Sequence, residues 1–393
     1  MPWRRRRRDE WPDEQRDERR NDCHAVWHNR RPAHMSLRRI SATDAITRLA
    51  EFSAVIDARS ESEYALDHVP GAANWPSLND EERQRVGTEY VQVSPFTARK
   101  HGAALVARNI ARHIDTHVHA LQREWRPLVY CWRGGQRSGA LCTVLDQIGF
   151  AVHVLDGGYV AFRRAVLAEM QTLPATLDLH VLLGRTGSGK SRLLQALQAQ
   201  GAQVLDLEAL ACHRGSVLGP LPGQPQPSQK AFETQLWQAL RGFDPTQPVF
   251  VEGESRTIGR LRVPEPLLQC VRAAHCIRLE MSVPARVHML LDDYAHFVSD
   301  VESFCARLEP LRELRGTAVV ARWQEQARAG ELAPVVQELL AQHYDPQYER
   351  SMSRNFAGFA TAPALALADA GPAALAAAAT HLIHKVTTDA IAG

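Results

Sequence analysis

An apolar run, Leu179-His180-Val181-Leu182-Leu183, passes directly into Gly184-Arg185-Thr186-Gly187-Ser188-Gly189-Lys190-Ser191 and then into an apolar-periodic segment from Arg192 to Gln200. Strand, glycine-rich loop and helix in that order leave few folds open, because a buried strand that feeds a helix needs a parallel neighbour beside it. The glycines let successive amides curl around phosphate oxygens, Lys190 brings charge to them, and the Ser191 hydroxyl is placed for a metal such as Mg2+. Gly184, Gly187, Ser188, Gly189, Lys190 and Ser191 are therefore the candidate phosphate-binding residues. The motif says that phosphate is held and leaves open whether ATP is the ligand. Further strands are expected at Val204 to Leu207, Val249 to Val251 and Cys276 to Glu280. Glu252 and Glu254, at the end of one of them, are candidate carboxylates for a metal or substrate, where Asp is the usual residue. A solvated strand end would carry acids equally well. Between these strands His213-Arg214-Gly215-Ser216 and the Pro-rich Gly219 to Pro227 form a loop without period, which makes His213, Arg214 and Ser216 candidate substrate-loop residues.

A second strand-turn-helix lies upstream and carries a thiol. Pro127 to Tyr130 reads as a buried strand, and Ser138 to Gly149 places Leu141, Val144, Leu145 and Ile148 at helical spacing. Between them runs Cys131-Trp132-Arg133-Gly134-Gly135-Gln136-Arg137-Ser138. Cys131 thus stands at a strand's carboxyl end, facing a helix amino terminus whose free amides and dipole favour an anion. With Arg133 and Arg137 adding full charge, the thiol pKa should fall far enough to make Cys131 a nucleophile, and these three are the candidate catalytic residues. Packing alone has no use for paired glycines and two arginines around one thiol. Five residues separate Cys131 from Arg137, a spacing shared with cysteine phosphatases that cradle a tetrahedral oxyanion.

At 393 residues the chain is long enough for two or three domains, and the order of elements predicts an α/β protein: an amino-terminal parallel-sheet domain over 36–172, a phosphate-loop α/β domain over 178–300 and a helical carboxyl-terminal region over 301–393. Residues 1–34 hold ten Arg against seven Asp plus Glu and few aliphatic residues, and are expected to form a disordered charged tail. The remainder is nearly neutral, so net charge gives no support for nucleic-acid binding and any such surface must be local. Seven scattered cysteines without a C-x-x-C pair fit a reducing cytoplasm. A helix is expected over 98–125, with Arg108 and Arg112 on its solvated side, and an ordinary polar stretch before it through Val86. Beyond Pro284 the pattern is helical, with Val287, Leu290, Leu291 and Tyr294 on one face and a break at Asp345-Pro346-Gln347-Tyr348. The Ala-rich segment from Thr361 is too interrupted to span a membrane, and a monomer is expected.

The Cys131 loop resembles the active loop of the rhodanese fold, and Asp57-Ala58-Arg59, His68-Val69-Pro70-Gly71-Ala72 and Leu155-Asp156-Gly157-Gly158-Tyr159 resemble its other landmarks. Followed by a P-loop domain, the order is similar to the tRNA 2-selenouridine synthase family over about Ile40 to Tyr348. Gln92-Val93-Ser94-Pro95-Phe96, Glu254-Ser255-Arg256-Thr257-Ile258-Gly259-Arg260 and His343-Tyr344-Asp345-Pro346 add to the likeness. The resemblance implies a transferase acting on wobble 2-thiouridine in tRNA, with selenophosphate as selenium donor and an S-geranyl intermediate made from geranyl diphosphate. It implies Cys131 as the catalytic cysteine, and the phosphate loop would seat the diphosphate. Two other readings stay open at this stage: a cysteine-dependent phosphatase or sulfurtransferase fused to a kinase-like nucleotide-binding domain, and a nucleotide-switched RNA-binding protein.

Overall fold

The computed structural model describes residues 37–214, 219, 223–293 and 300–392. The expectations for the 1–34 tail, for Gly215, Ser216 and Tyr294, and for part of the 219–227 loop lie outside these residues.

Two parallel sheets organise the chain. The first takes β1 (Arg38–Ile40), β2 (Ala54–Asp57), β3 (Ala72–Asn74), β4 (Pro127–Tyr130) and β5 (His153–Leu155) in the order β1-β5-β4-β2-β3. All four pairings are parallel. The second takes β6 (Leu179–Gly184), β7 (Gln203–Leu205), β8 (Val249–Glu252), β11 (His275–Met281) and β12 (Ala364–Leu367) in the order β12-β11-β6-β8-β7, again all parallel. A short antiparallel hairpin, β9 (Thr257–Ile258) and β10 (Leu261–Arg262), stands between β8 and β11. Helices cover both sheets, so the central strands carry near-continuous apolar runs instead of alternating. Leu128, Val129 and Tyr130 of β4 and Val181, Leu182 and Leu183 of β6 are fully buried. The two functional turns follow these central strands, at the carboxyl end where open α/β sheets gather their chemistry.

One apolar cluster runs through both sheets, from Leu128 and Phe162 to Phe232, Trp237 and Val249. The contact between the two units is made by the helix Gly158–Glu169 against the helix Gln229–Gly242, with Phe162 edge-on to Trp237 at 5.8 Å between ring centres. Polar groups close the same seam: Arg163 pairs with Glu233 and donates to Thr234 Oγ1 at 2.9 Å, Thr234 donates to buried Asp67 at 3.1 Å, and Trp237 Nε1 donates to Glu169 at 2.8 Å.

The structure departs from the sequence expectations in four places. The polar stretch before Val86 is a helix, Asp80–Gln92, closed by a reciprocal cap in which Asn79 accepts from the Glu82 amide at 2.8 Å and Glu82 accepts from the Asn79 amide at 3.1 Å. It buries no side chain fully, so it has no apolar period to read. The helix expected over 98–125 spans Pro95–His117, with proline in its first turn, where the missing N–H costs nothing. Asp345-Pro346 does not break the helical run; the chain passes through a π-turn at Leu340–Tyr344 into the helix Asp345–Asn355, again with proline in the first turn. The region after 300 is not only helical, because Ala364–Leu367 pairs with Arg278–Met281 as the fifth strand of the second sheet. The helix after it, Pro372–Ala392, lays Leu375, Ala379, Leu382 and Val386 over Leu193, Leu194 and Leu197 of the helix behind the phosphate loop. No helix among the described residues is long and apolar enough to cross a membrane.

Candidate active site

The thiol turn is held from below by a buried ion pair. Asp57, at the end of β2, takes Arg59 side-on at 2.5 to 3.0 Å, and both are almost wholly buried. Tyr130, the last residue of β4, donates its hydroxyl to Asp57 at 2.8 Å, and Arg59 lies 3.9 Å from the Tyr159 ring centre. Removing one partner would leave an uncompensated buried charge beneath the turn. The turn is held from the side by the start of the helix Gly158–Glu169: the Tyr159 amide donates to the Cys131 carbonyl at 2.8 Å and the Val160 amide to the Trp132 carbonyl at 3.1 Å. Gly158 makes this approach feasible. It sits at φ +56, and a Cβ there would stand 2.2 Å from the Cys131 carbonyl and 2.5 Å from the Gly134 nitrogen.

Cys131 itself is 3 % exposed and accepts a hydrogen bond from Ser138 Oγ at 3.2 Å. Burial pushes its pKa up, but hydrogen bonds from the Ser138 hydroxyl and from the Ser138 and Gly135 amides, with the Arg137 charge, outweigh it and leave the pKa below the ordinary thiol value. Cys142, buried in the helix Gln136–Ile148 that follows the turn, is pushed up to about 12 by burial and by the charge of Cys131, so it is no competing nucleophile. The two arginines differ. Arg137 lends its charge to the thiol and also pairs with Glu63 at 3.1 Å, while Arg133 is exposed on the turn. Glu63, 74 residues away in sequence from Arg137, was not visible as part of the site.

The cradle has a direct test in alkylation of Cys131 as a function of pH. Because the pKa is depressed, half-maximal reactivity is expected at lower pH than for a free thiol. Ser138→Ala removes a hydrogen bond to the charged form and should move the midpoint up by about one pH unit. Glu63→Gln frees Arg137 and should move it down. A wild-type midpoint at the value of a free thiol would remove the basis for an anion cradle here.

The second turn joins β6 to the helix Lys190–Ala199. Gly187 and Gly189 both lie at positive φ, Lys190 Nζ donates to the Gly184 carbonyl at 2.8 Å, and Ser188 Oγ is buried with no hydrogen-bond partner among the described residues. Around the loop is a cavity of about 370 Å3. Its polar lining includes Lys190, Ser191, Arg214 and Glu254, and its apolar lining Met289, Leu290, Tyr344, Tyr348 and Met352. A larger cavity of about 540 Å3 opens at the amino ends of β6, β11 and β12, around His180, His275 and Lys385, the end of the sheet that carries neither turn.

Glu252 and Glu254 are joined by Glu208, which sequence reading passed over. Ligand oxygens of the three lie within 4.8 Å of one another. Ser191 Oγ donates to Glu208 at 3.0 Å, and the Glu208 amide donates to Glu252 at 2.7 Å. Burial and the neighbouring carboxylates push Glu208 up to about 7 and Glu252 well above the carboxylate range. Glu252 is fully buried, and one of its oxygens has no hydrogen-bond partner among the described residues. Clustered hard oxygens, one of them unsatisfied, beside the Ser191 hydroxyl fit a divalent cation such as Mg2+. Of the loop candidates, Arg214 lines the cavity and donates to the Asp293 carbonyl at 2.8 Å, whereas His213 is buried beneath Gly259. Buried Arg286 was also missed. It donates to the Thr186 carbonyl at 2.9 Å and grips Asp345 at 2.6 and 2.9 Å, tying the phosphate loop to the helix that supplies Tyr348 and Met352. No residue of the Cys131 turn lines this cavity, so the thiol and the phosphate loop are two sites.

Fold and sites together define a rhodanese-type thiol domain joined to a P-loop domain with its own acidic cluster. Family models agree: residues 41–165 match the rhodanese-like domain, and residues 177–316 match the tRNA 2-selenouridine synthase AAA domain. The chain belongs to the tRNA 2-selenouridine synthase family. It is 33% identical over 332 residues to the tRNA 2-selenouridine synthase of Alcanivorax borkumensis, covering 76% of this chain and 90% of that one. It is 33% identical over 265 residues to that of Shewanella halifaxensis (67% and 71%) and 29% identical over 361 residues to that of Bdellovibrio bacteriovorus (81% and 94%).

Proposed function

We propose that this transferase replaces the sulfur of wobble 2-thiouridine in tRNA by selenium in two steps, one at each site. At the phosphate loop, the thiocarbonyl sulfur attacks the terminal carbon of geranyl diphosphate. A carbon–sulfur bond forms, the carbon–oxygen bond breaks, and diphosphate leaves into the amides of Gly187 to Ser191 and the charge of Lys190. S-geranylation turns the sulfur into a leaving group. At the other turn the Cys131 thiolate takes the phosphoryl group of selenophosphate as the phosphorus–selenium bond breaks, and the freed selenide bonds to the same ring carbon and expels geranyl thiol. Water then releases phosphate from the cysteine. Cys131 and its cradle handle the selenium donor, selenophosphate, whose tetrahedral anion suits a turn lined by amides and Arg137.

The observation that carries the geranyl reading is the mixed lining of the cavity, where Met289, Leu290, Tyr344, Tyr348 and Met352 join the phosphate-binding groups. A ten-carbon chain ending in diphosphate matches both kinds of lining. Glu208, Glu252 and Glu254 would hold Mg2+ beside Ser191, and the ion would supply positive charge to the departing diphosphate. The deciding experiment incubates the full chain with 2-thiouridine tRNA and geranyl diphosphate, with and without excess ATP, and analyses the nucleosides by mass. S-geranyl-2-thiouridine is expected in both. Absence of the product, or its suppression by ATP, would favour a nucleotide as the occupant.

A further inference from the structure

The segment Glu254-Ser255-Arg256-Thr257-Ile258-Gly259-Arg260 has a role so far only at its first residue. It continues into the hairpin β9–β10, where Arg256, Arg260 and Arg262 are all exposed. Two-residue strands have little stability of their own. This hairpin is pinned on its inner side by buried Ile258, Leu261 and Val263, and along its backbone by two glutamines. Gln226 donates to the Ile258 carbonyl at 2.9 Å and accepts from the Arg260 amide at 2.9 Å; Gln229 donates to the Arg262 carbonyl at 2.8 Å and accepts from its amide at 2.9 Å. The three arginines are therefore presented on a braced frame, around a cavity of about 420 Å3.

Their charge is weakly answered. Arg262 makes no ion pair among the described residues, Arg260 spends one guanidinium nitrogen on the Gln226 carbonyl, and Arg256 meets only Glu265 at 3.5 Å, with both side chains exposed. The other acid of the cavity, Glu233, is taken by Arg163 from the thiol domain.

The position of the hairpin is the second half of the argument. Gly253, Glu254 and Ser255 line the phosphate cavity, and Arg256 follows them directly. At the other end, Gln229, which braces Arg262, is followed by Lys230, whose Nζ lies 5.9 Å from the ring centre of Trp132, the residue after Cys131. Arg256, Arg260, Arg262 and Lys230 are thus exposed cations on and beside a hairpin that adjoins the phosphate cavity through Ser255 and the thiol turn through Lys230. A small anion is held by convergent, buried donors. Spaced, exposed cations on a rigid frame instead match a polyanion with charges along its length, and arginine suits phosphate diesters in particular.

We propose that this hairpin, together with Lys230, grips the phosphate backbone of tRNA and keeps the same nucleoside within reach of both sites. The proposal rests on the reading that both sites act on one base. Its test reads binding alone, so it is independent of whether geranyl transfer occurs.

The test compares the full chain with an Arg256→Ala/Arg262→Ala variant by fluorescence anisotropy of labelled 2-thiouridine tRNA across a salt series. The double variant should bind about tenfold or more weakly at low salt, and the slope of log affinity against log salt should become shallower by about two, one for each lost phosphate contact. Alkylation of Cys131 and binding of inorganic pyrophosphate should be unchanged, which separates a lost contact from a lost fold. Glu265→Gln, which releases Arg256, should tighten tRNA binding. Unchanged affinity and slope in the double variant, or weaker binding with an unchanged slope, would overturn the proposal.

Discussion

Cys131→Ser is expected to abolish selenium incorporation while S-geranyl-2-thiouridine continues to form and accumulates. The first half follows from the chemistry of the turn. The hydrogen bonds and the Arg137 charge that lower the pKa of Cys131 act on a thiol, and the same cradle leaves a serine hydroxyl protonated at neutral pH. Loss of a nucleophile in a preorganised site lowers rate by about four to six orders of magnitude. The second half follows from the separation of the sites: the cavity around the phosphate loop takes none of its lining from the Cys131 turn. The measurement is mass analysis of tRNA nucleosides after reaction with each donor alone and with both. Loss of both steps in the variant would rule out the division of labour between the two domains.

Lys190→Ala is expected to produce the mirror image. Lys190 is the loop cation that lines the phosphate cavity, and its field offsets part of the burial that raises the pKa of Glu208 and Glu254. A charge-assisted contact contributes about 1.5–3 kcal/mol, so geranyl diphosphate should bind about ten- to a hundredfold more weakly. Geranylation should fall further, because the departing diphosphate gathers charge as the carbon–oxygen bond breaks. The alkylation profile of Cys131 should not move. Isothermal titration with geranyl diphosphate checks the affinity, and unchanged binding would place the diphosphate elsewhere.

Both turns were legible because each is a local object. A strand, a glycine-bearing turn and a helix are contiguous in sequence, and β4 and β6 match the apolar runs at Pro127 to Tyr130 and Leu179 to Leu183 closely. What the turns are paired with was not legible, because those partners arrive from far along the chain. Glu63 reaches Arg137, Glu208 reaches Ser191 and Asp345 reaches Arg286 only once the sheets are assembled. Glu208 and Glu63 lie within short helices, Leu207–Leu210 and Glu61–Leu66, that have no apolar period, and nothing in their neighbourhood distinguishes them from surface acids. Of the two arginines weighted equally in the turn, geometry gives the thiol only Arg137, since Arg133 is exposed. The fifth strand of the second sheet escaped because Ala364-Leu365-Ala366-Leu367 has the composition of its helical surroundings; pairing with β11 decides its conformation.

That late strand and the helix after it bear on how the protein is made. The first sheet is complete by residue 155, whereas the second has an open edge at β11 until residues 364–367, about 210 residues later, leave the ribosome. The apolar face of the helix that begins at Lys190 likewise waits for the turns from Leu375 onward. The thiol half is thus able to fold as a nascent chain, while the phosphate half matures only after β12 and the helix behind it have been made, with β11 exposed to wrong partners in the interval.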